Sequence, residues 1–104
     1  MNGKKYNVII SDKAKSMIGS HIRFLAKASK EAANEKKKEI ITAIHSLSEM
    51  PERFPYFNAY SIQTNTYHKM FIAKWYIVLY QIKDDNVYVD YVLDCRQDYS
   101  WLLN

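Results

Sequence analysis

A polar set in the second half of the chain has the residue types for proton transfer and anion binding: Arg53, His68, Lys69, Lys74, Arg96, Gln97, Asp98 and Tyr99. A base, a cation that holds phosphate and a tyrosine are the minimum for metal-free RNA cleavage. In that chemistry a 2′-hydroxyl attacks the adjacent phosphate. His68 is the natural acid or base, because imidazole as a class exchanges protons near neutrality, and Arg96 would stabilise phosphate charge. His68 and Lys69 are neighbours in a strand-like stretch and therefore point to opposite faces. At most one of them can join a given constellation.

Other chemistries lack their residues. Gly3 and Gly19 are the only two glycines, too few for a phosphate-cradling loop. His21, His45 and His68 are scattered and show no metal-ligand spacing, so neither metal nor cofactor is expected. His21 and His45 fall within helical patterns and read as structural or surface residues. The single Cys95 cannot form an intramolecular disulfide and reads as a small hydrophobe, which suits a reducing, cytoplasmic setting. The longest apolar run, Trp75 to Tyr80, is far short of the roughly 20 residues that span a bilayer. Tyr6 to Ile10 is too short for the core of a signal peptide.

The elements that must position these residues can be read from periodicity. Tyr6-Asn7-Val8-Ile9-Ile10 is a β-branched run that predicts a first strand. Ser11 or Asp12 can cap the helix that follows, in which Ala14, Met17, Ile18, Ile22, Leu25 and Ala28 recur at spacings of three and four. Ser29 can cap a second helix carrying Ala33, Ile40, Ile41, Ile44, Leu47 and Met50, ending where Pro51 removes a donor. With almost nothing between them, the two helices should form an antiparallel hairpin over residues 12–50. Residues 67–73, 76–82 and 87–93 then predict a three-stranded antiparallel meander. Lys83-Asp84-Asp85-Asn86 supplies one turn; the reversal near Ala73-Lys74 has no turn residue and follows from strand length alone. The 104 residues thus read as one α+β domain over 1–104, with a short C-terminal segment.

Charge is unevenly distributed. The net charge is +4, but residues 1–40 hold 10 basic and 4 acidic groups while residues 41–104 hold 5 and 7. The excess includes Lys36-Lys37-Lys38, which lies between Glu35 and Glu39. Such a face suits nucleic acid or an acidic partner, or is simply solvated.

Taken in order, the pieces resemble the RelE/ParE superfamily of toxins from bacterial type II toxin–antitoxin systems. The likeness runs from the opening strand into Ser11-Asp12-Lys13-Ala14, through Ala32-Ala33 and Ile40 to Leu47, to Met50-Pro51-Glu52-Arg53-Phe54-Pro55. It continues through Tyr67-His68-Lys69-Met70-Phe71-Ile72, Tyr76-Ile77-Val78-Leu79-Tyr80, Val87-Tyr88-Val89 and Arg96-Gln97-Asp98-Tyr99. The resemblance implies a helical hairpin against a curved antiparallel sheet, and a growth-inhibiting toxin held in check by a small, acidic, DNA-binding antitoxin. RelE-like members cut messenger RNA on the ribosome; ParE-like members poison DNA gyrase. Against the RelE-like catalytic set, His68 stands where the second strand usually has an arginine, and Lys69 follows it as in many relatives. Arg96 matches a C-terminal arginine and Tyr99 loosely matches the tyrosine, but Ile77 stands where that pattern has another arginine. The long hairpin looks more ParE-like, which puts gyrase slightly ahead as target. A non-toxic descendant that only binds antitoxin, or an unrelated small α+β binding domain, are the alternatives. The antitoxin would add a helix and an extended strand, drawn by Lys36, Lys37 and Lys38 and anchored on Tyr67, Phe71, Trp75 and Trp101.

Overall fold

The computed structural model describes residues 4–59 and 62–96. Its first strand, β1 (Asn7–Ile10), leads into α1 (Asp12–Ala26) and α2 (Lys30–His45). Strands β2 (Tyr56–Ala59), β3 (Ile62–Ile72), β4 (Tyr76–Lys83) and β5 (Asn86–Asp94) follow. Both helices start where a serine can accept from a free backbone N–H. Ser11 Oγ accepts from Ala14 at 3.0 Å, and Ser29 Oγ accepts from Ala32 at 3.1 Å. Asp12 and Glu31 sit in the first turns, favourable to the helix dipole.

The α+β class and the order strand, helical hairpin, meander are as the sequence predicts; three details differ. The second helix stops at His45, short of Met50, and 3-10 turns at Ser46–Ser48 and Pro51–Arg53 replace its last turn. The chain must extend there because Ser48 accepts from the Tyr6 backbone at 2.8 Å and Glu49 bridges Lys5. The meander has four strands, since Tyr56–Ala59 pairs antiparallel with β3. β3 also starts earlier than residue 67, at Ile62. The sheet order is β1-β5-β4-β3-β2, with β1 parallel to β5 and every other pair antiparallel.

Alternation along β4 divides the core between the two faces of the sheet. Tyr76, Val78 and Tyr80 join Ile18, Ile40, Ile44 and Leu47 of the helical layer, while Ile77 and Leu79 join Phe57 and Leu93 on the opposite face. Apolar surface on both faces explains why β4 reads as a continuous hydrophobic run. Tyr80 pairs with Val89 and Leu79 with Tyr91, so Asp90 is the extra residue of a β-bulge.

Candidate functional site

Strand alternation sends His68 and Lys69 to different places. His68 follows Met70 and Ile72 to the helix side of the sheet and is buried. Its Nδ1 lies 2.7 Å from the Phe54 carbonyl, so that nitrogen carries a proton and donates. The imidazole is stacked between Tyr80 (5.3 Å, 17°) and Tyr56 (4.3 Å, 30°). It lines a cleft of about 650 Å³ with Glu52, Arg53, Tyr56, Thr66 and Ile82. Arg53 is itself occupied, donating to the Glu49 and Met50 carbonyls. Tyr80 adds a phenol donated to the Pro51 carbonyl at 2.6 Å. This end of the sheet therefore pins the Pro51–Pro55 connector, with His68 as one of its pins.

Lys69 faces the other way, its ammonium 6.0 Å from the Phe57 and Phe71 rings. Ile77, on this same face, is 1% exposed among Phe57, Leu79 and Leu93, so the position offers hydrocarbon and no charge. Tyr67 is half-buried rather than presented, and donates to Asp90 at 2.7 Å, where Gln81 also donates at 2.9 Å. Burial first, then the Asp90 carboxylate, push the Tyr67 phenol well above its ordinary range. The bulge that turns Asp90 toward Tyr67 left no trace in the sequence.

Arg96 lies at the far end of the strands. His68 pairs with Tyr80, while Asp94, two residues before Arg96, pairs with Tyr76. The span from Tyr80 to Tyr76 is roughly 13 Å at about 3.3 Å per residue, so the structure does not bring His68 and Arg96 together. Arg96 forks onto Asp94, with Nε to Oδ1 at 3.0 Å and Nη2 to Oδ2 at 2.8 Å. The fork holds the buried Asp94 carboxyl below the usual carboxylate range. The guanidinium also stacks 4.8 Å over the Trp75 ring. Sequence reasoning passed over Asp94; its spacing to Arg96 at the end of an apolar strand was the available signal. Tyr99 and Trp101 lie outside the described residues.

A second feature lies between β1 and the helical hairpin. Ile10, Ile18, Ile22 and Ile41 form the floor of a groove of about 410 Å³, edged by Lys15, Arg23 and Lys37. Gly19 leaves room for the Arg23 side chain to fold back, since a Cβ there would sit 3.1 Å from Nη1. Of the three consecutive lysines, Lys37 edges the groove, Lys36 reaches Glu39 at 3.4 Å, and Lys38 is exposed. Lys15 and Arg23 complete an edge that the lysine run alone did not reveal. Half-buried Cys95 has a thiol raised by burial, in keeping with a packing role.

Known proteins supply the context for this geometry. The sequence model of a family described as "ParE toxin of type II toxin-antitoxin system, parDE" matches residues 8–99. A solved chain titled "Chromosomal ParDE TA system from P. aeruginosa" is similar in fold, with a TM-score of 0.70 at 9% identity. The match covers 86% of this chain and 96% of that one. No curated protein matches the sequence.

Proposed function

The chain belongs to the ParE toxin family of type II toxin–antitoxin systems, and from that membership we propose a cytoplasmic poison of DNA gyrase rather than a ribosome-dependent ribonuclease. The observation that carries the choice of target is the separation of His68, Lys69 and Arg96, the three residues of the ribonuclease-like set that the structure describes. His68 and Lys69 occupy opposite faces, Arg96 is neutralised by Asp94, and Ile77 puts buried hydrocarbon where phosphate would need a cation. A cation already forked to a carboxylate must break that pair before it can hold phosphate. On this reading the chain acts by binding a protein rather than by acid–base catalysis.

Induction without the antitoxin should arrest growth with DNA breaks and an SOS response while transcripts stay whole. Transcripts cut on ribosomes, without DNA damage, would overturn the gyrase reading. Unimpaired growth with soluble protein present would identify a non-toxic descendant instead.

Neutralisation fits the groove on the helical hairpin. Its isoleucine floor and basic edge suit an acidic amphipathic segment, whose apolar side is buried while Lys15, Arg23 and Lys37 meet its carboxylates. Lys37→Glu should slow association with the antitoxin encoded beside this gene, most strongly at low salt. Lys36→Glu should do so less, because Lys36 already faces Glu39.

A further inference from the structure

We propose that the β3–β4 hairpin tip, Ala73 to Trp75 with Phe71 and Arg96 beside it, is the surface by which this toxin grips its cellular target, a protein presenting an apolar pocket with an acidic rim. The proposal rests on the toxin reading above and gives that reading a contact surface. Two independent observations point to the tip.

The first is backbone conformation. Ala73 and Lys74 both adopt the left-handed region, at φ 52° and 73°, where residues carrying a Cβ are disfavoured. The turn is fixed by bonds on either side: Trp75 N–H donates to the Ala73 carbonyl at 2.8 Å, and Cys95 N–H to the Trp75 carbonyl at 2.6 Å. Strain held in place by its surroundings concentrates at clamps and binding sites.

The second is side-chain presentation. Trp75 and Phe71 are 41% and 63% exposed, against the general tendency of large apolar groups to be buried. Trp75 is also restrained, because Arg96 stacks on it and Arg96 is held by a buried Asp94. An exposed tryptophan already restrained in this way loses little rotamer freedom on binding, which is what an interface anchor needs. The Asp94 carboxylate cancels the Arg96 charge, so Lys74 and Lys69 are the cations left near the apolar pair, and an acidic rim complements them. The helical groove has its own apolar floor and basic edge and shares no residue with the tip. Antitoxin and target are thereby given separate surfaces, and Phe71 and Trp75 pass from the first to the second.

The test uses the full chain carrying Trp75→Ala, Phe71→Ser or Lys74→Glu, with thermal melts to check folding. Each is assayed for binding to immobilised purified DNA gyrase, for growth arrest on induction, and for binding to the antitoxin encoded beside the gene. Trp75→Ala should weaken gyrase binding roughly tenfold or more and relieve the arrest. Lys74→Glu should slow gyrase association several-fold, and all three should keep their antitoxin affinity. Retention of gyrase binding and arrest by all three variants overturns the proposal, as does loss of antitoxin affinity in a folded Trp75→Ala. If the wild type arrests growth without binding gyrase, the choice of target fails by itself. Relief of arrest by Trp75→Ala then still supports the tip, and undiminished arrest overturns it.

Discussion

The β4–β5 turn reverses the chain through Asp84 and Asp85, with Asp84 in the left-handed region. The β3–β4 turn places Ala73 and Lys74 there one after the other. Aspartate enters that region readily because its short side chain bonds to nearby backbone; alanine and lysine have no such compensation. Each turn also has a carboxylate paired with a cation close by. At the first, Asp85 meets Lys4 at 2.6 Å with both side chains more than half exposed. At the second, Asp94 meets Arg96 with the aspartate side chain 6% exposed and the cation laid over Trp75. One turn closes a hairpin with residues suited to the job. The other spends local stability to hold an aromatic group in water, and departures from local consistency of that kind are expected where a protein binds something.

The largest effect that separates the two turns should come from their carboxylates. Asp94→Ala removes a buried counter-charge and leaves a backbone N–H and two guanidinium donors of Arg96 without their acceptors. Breaking a fully buried pair costs about 3–5 kcal/mol, and the water-exposed side of Arg96 screens this to about 2 kcal/mol. Denaturant melts should register that loss, together with a change in Trp75 mobility. Asp85→Ala should leave the midpoint where it was, since exposed pairs contribute little. Equal losses at the two sites would remove the distinction.

A smaller effect, of opposite sign, is expected from glycine. Ala73→Gly or Lys74→Gly relieves the left-handed strain and should raise stability by about 1 kcal/mol each, which in a domain of this size is about 4–8 °C in Tm. Asp84→Gly should gain only a few tenths of that, because aspartate is already tolerated there. If the tip is a grip, these stabilised variants bind the target more weakly, since a looser turn no longer fixes Trp75. Tighter binding in a stabilised variant would show that the strain serves no purpose in recognition.

The same contrast explains what could be read from the sequence. The Asp84-Asp85 turn, both serine caps, the two faces of β4 and the opposite orientations of His68 and Lys69 all follow from spacing or side-chain chemistry acting over a few residues. The extra strand β2 escaped because Tyr56–Ala59 is four residues long and becomes a strand only by pairing with β3. The second helix ended early because Ser48 and Glu49 are drawn to the start of the chain, a contact no local pattern encodes. The burial of His68 had the same origin: its partners Phe54, Tyr56 and Tyr80 come from three separate segments. Arg96 was identified as a cation, but the carboxylate that cancels it became visible only when the end of β5 was seen to sit under Trp75.

The smallest effect concerns pH and distinguishes the two ends of the strands. At the tip, the hydrogen bond from Arg96 is the main cause holding the folded Asp94 carboxyl below its ordinary value of 3.8. A carboxylate depressed in the folded state contributes stability that is complete above the unfolded value and is lost as pH falls through the folded one. The pair should therefore weaken only below about pH 4. At the other end, burial raises the Tyr80 phenol above its ordinary 10.0, and burial with Asp90 raises Tyr67 likewise. Their contribution runs the other way, intact below the unfolded value and lost as pH climbs past it. Thermal midpoints measured between about pH 2 and 4 should fall less steeply in Asp94→Asn than in the wild type, with a smaller easing of the alkaline limb because Asp94 also helps raise the Tyr76 phenol. Tyr80→Phe should flatten the alkaline limb and leave the acid one alone. Parallel acid limbs in wild type and Asp94→Asn would mean that the Arg96 fork is too well solvated to hold Trp75 in place.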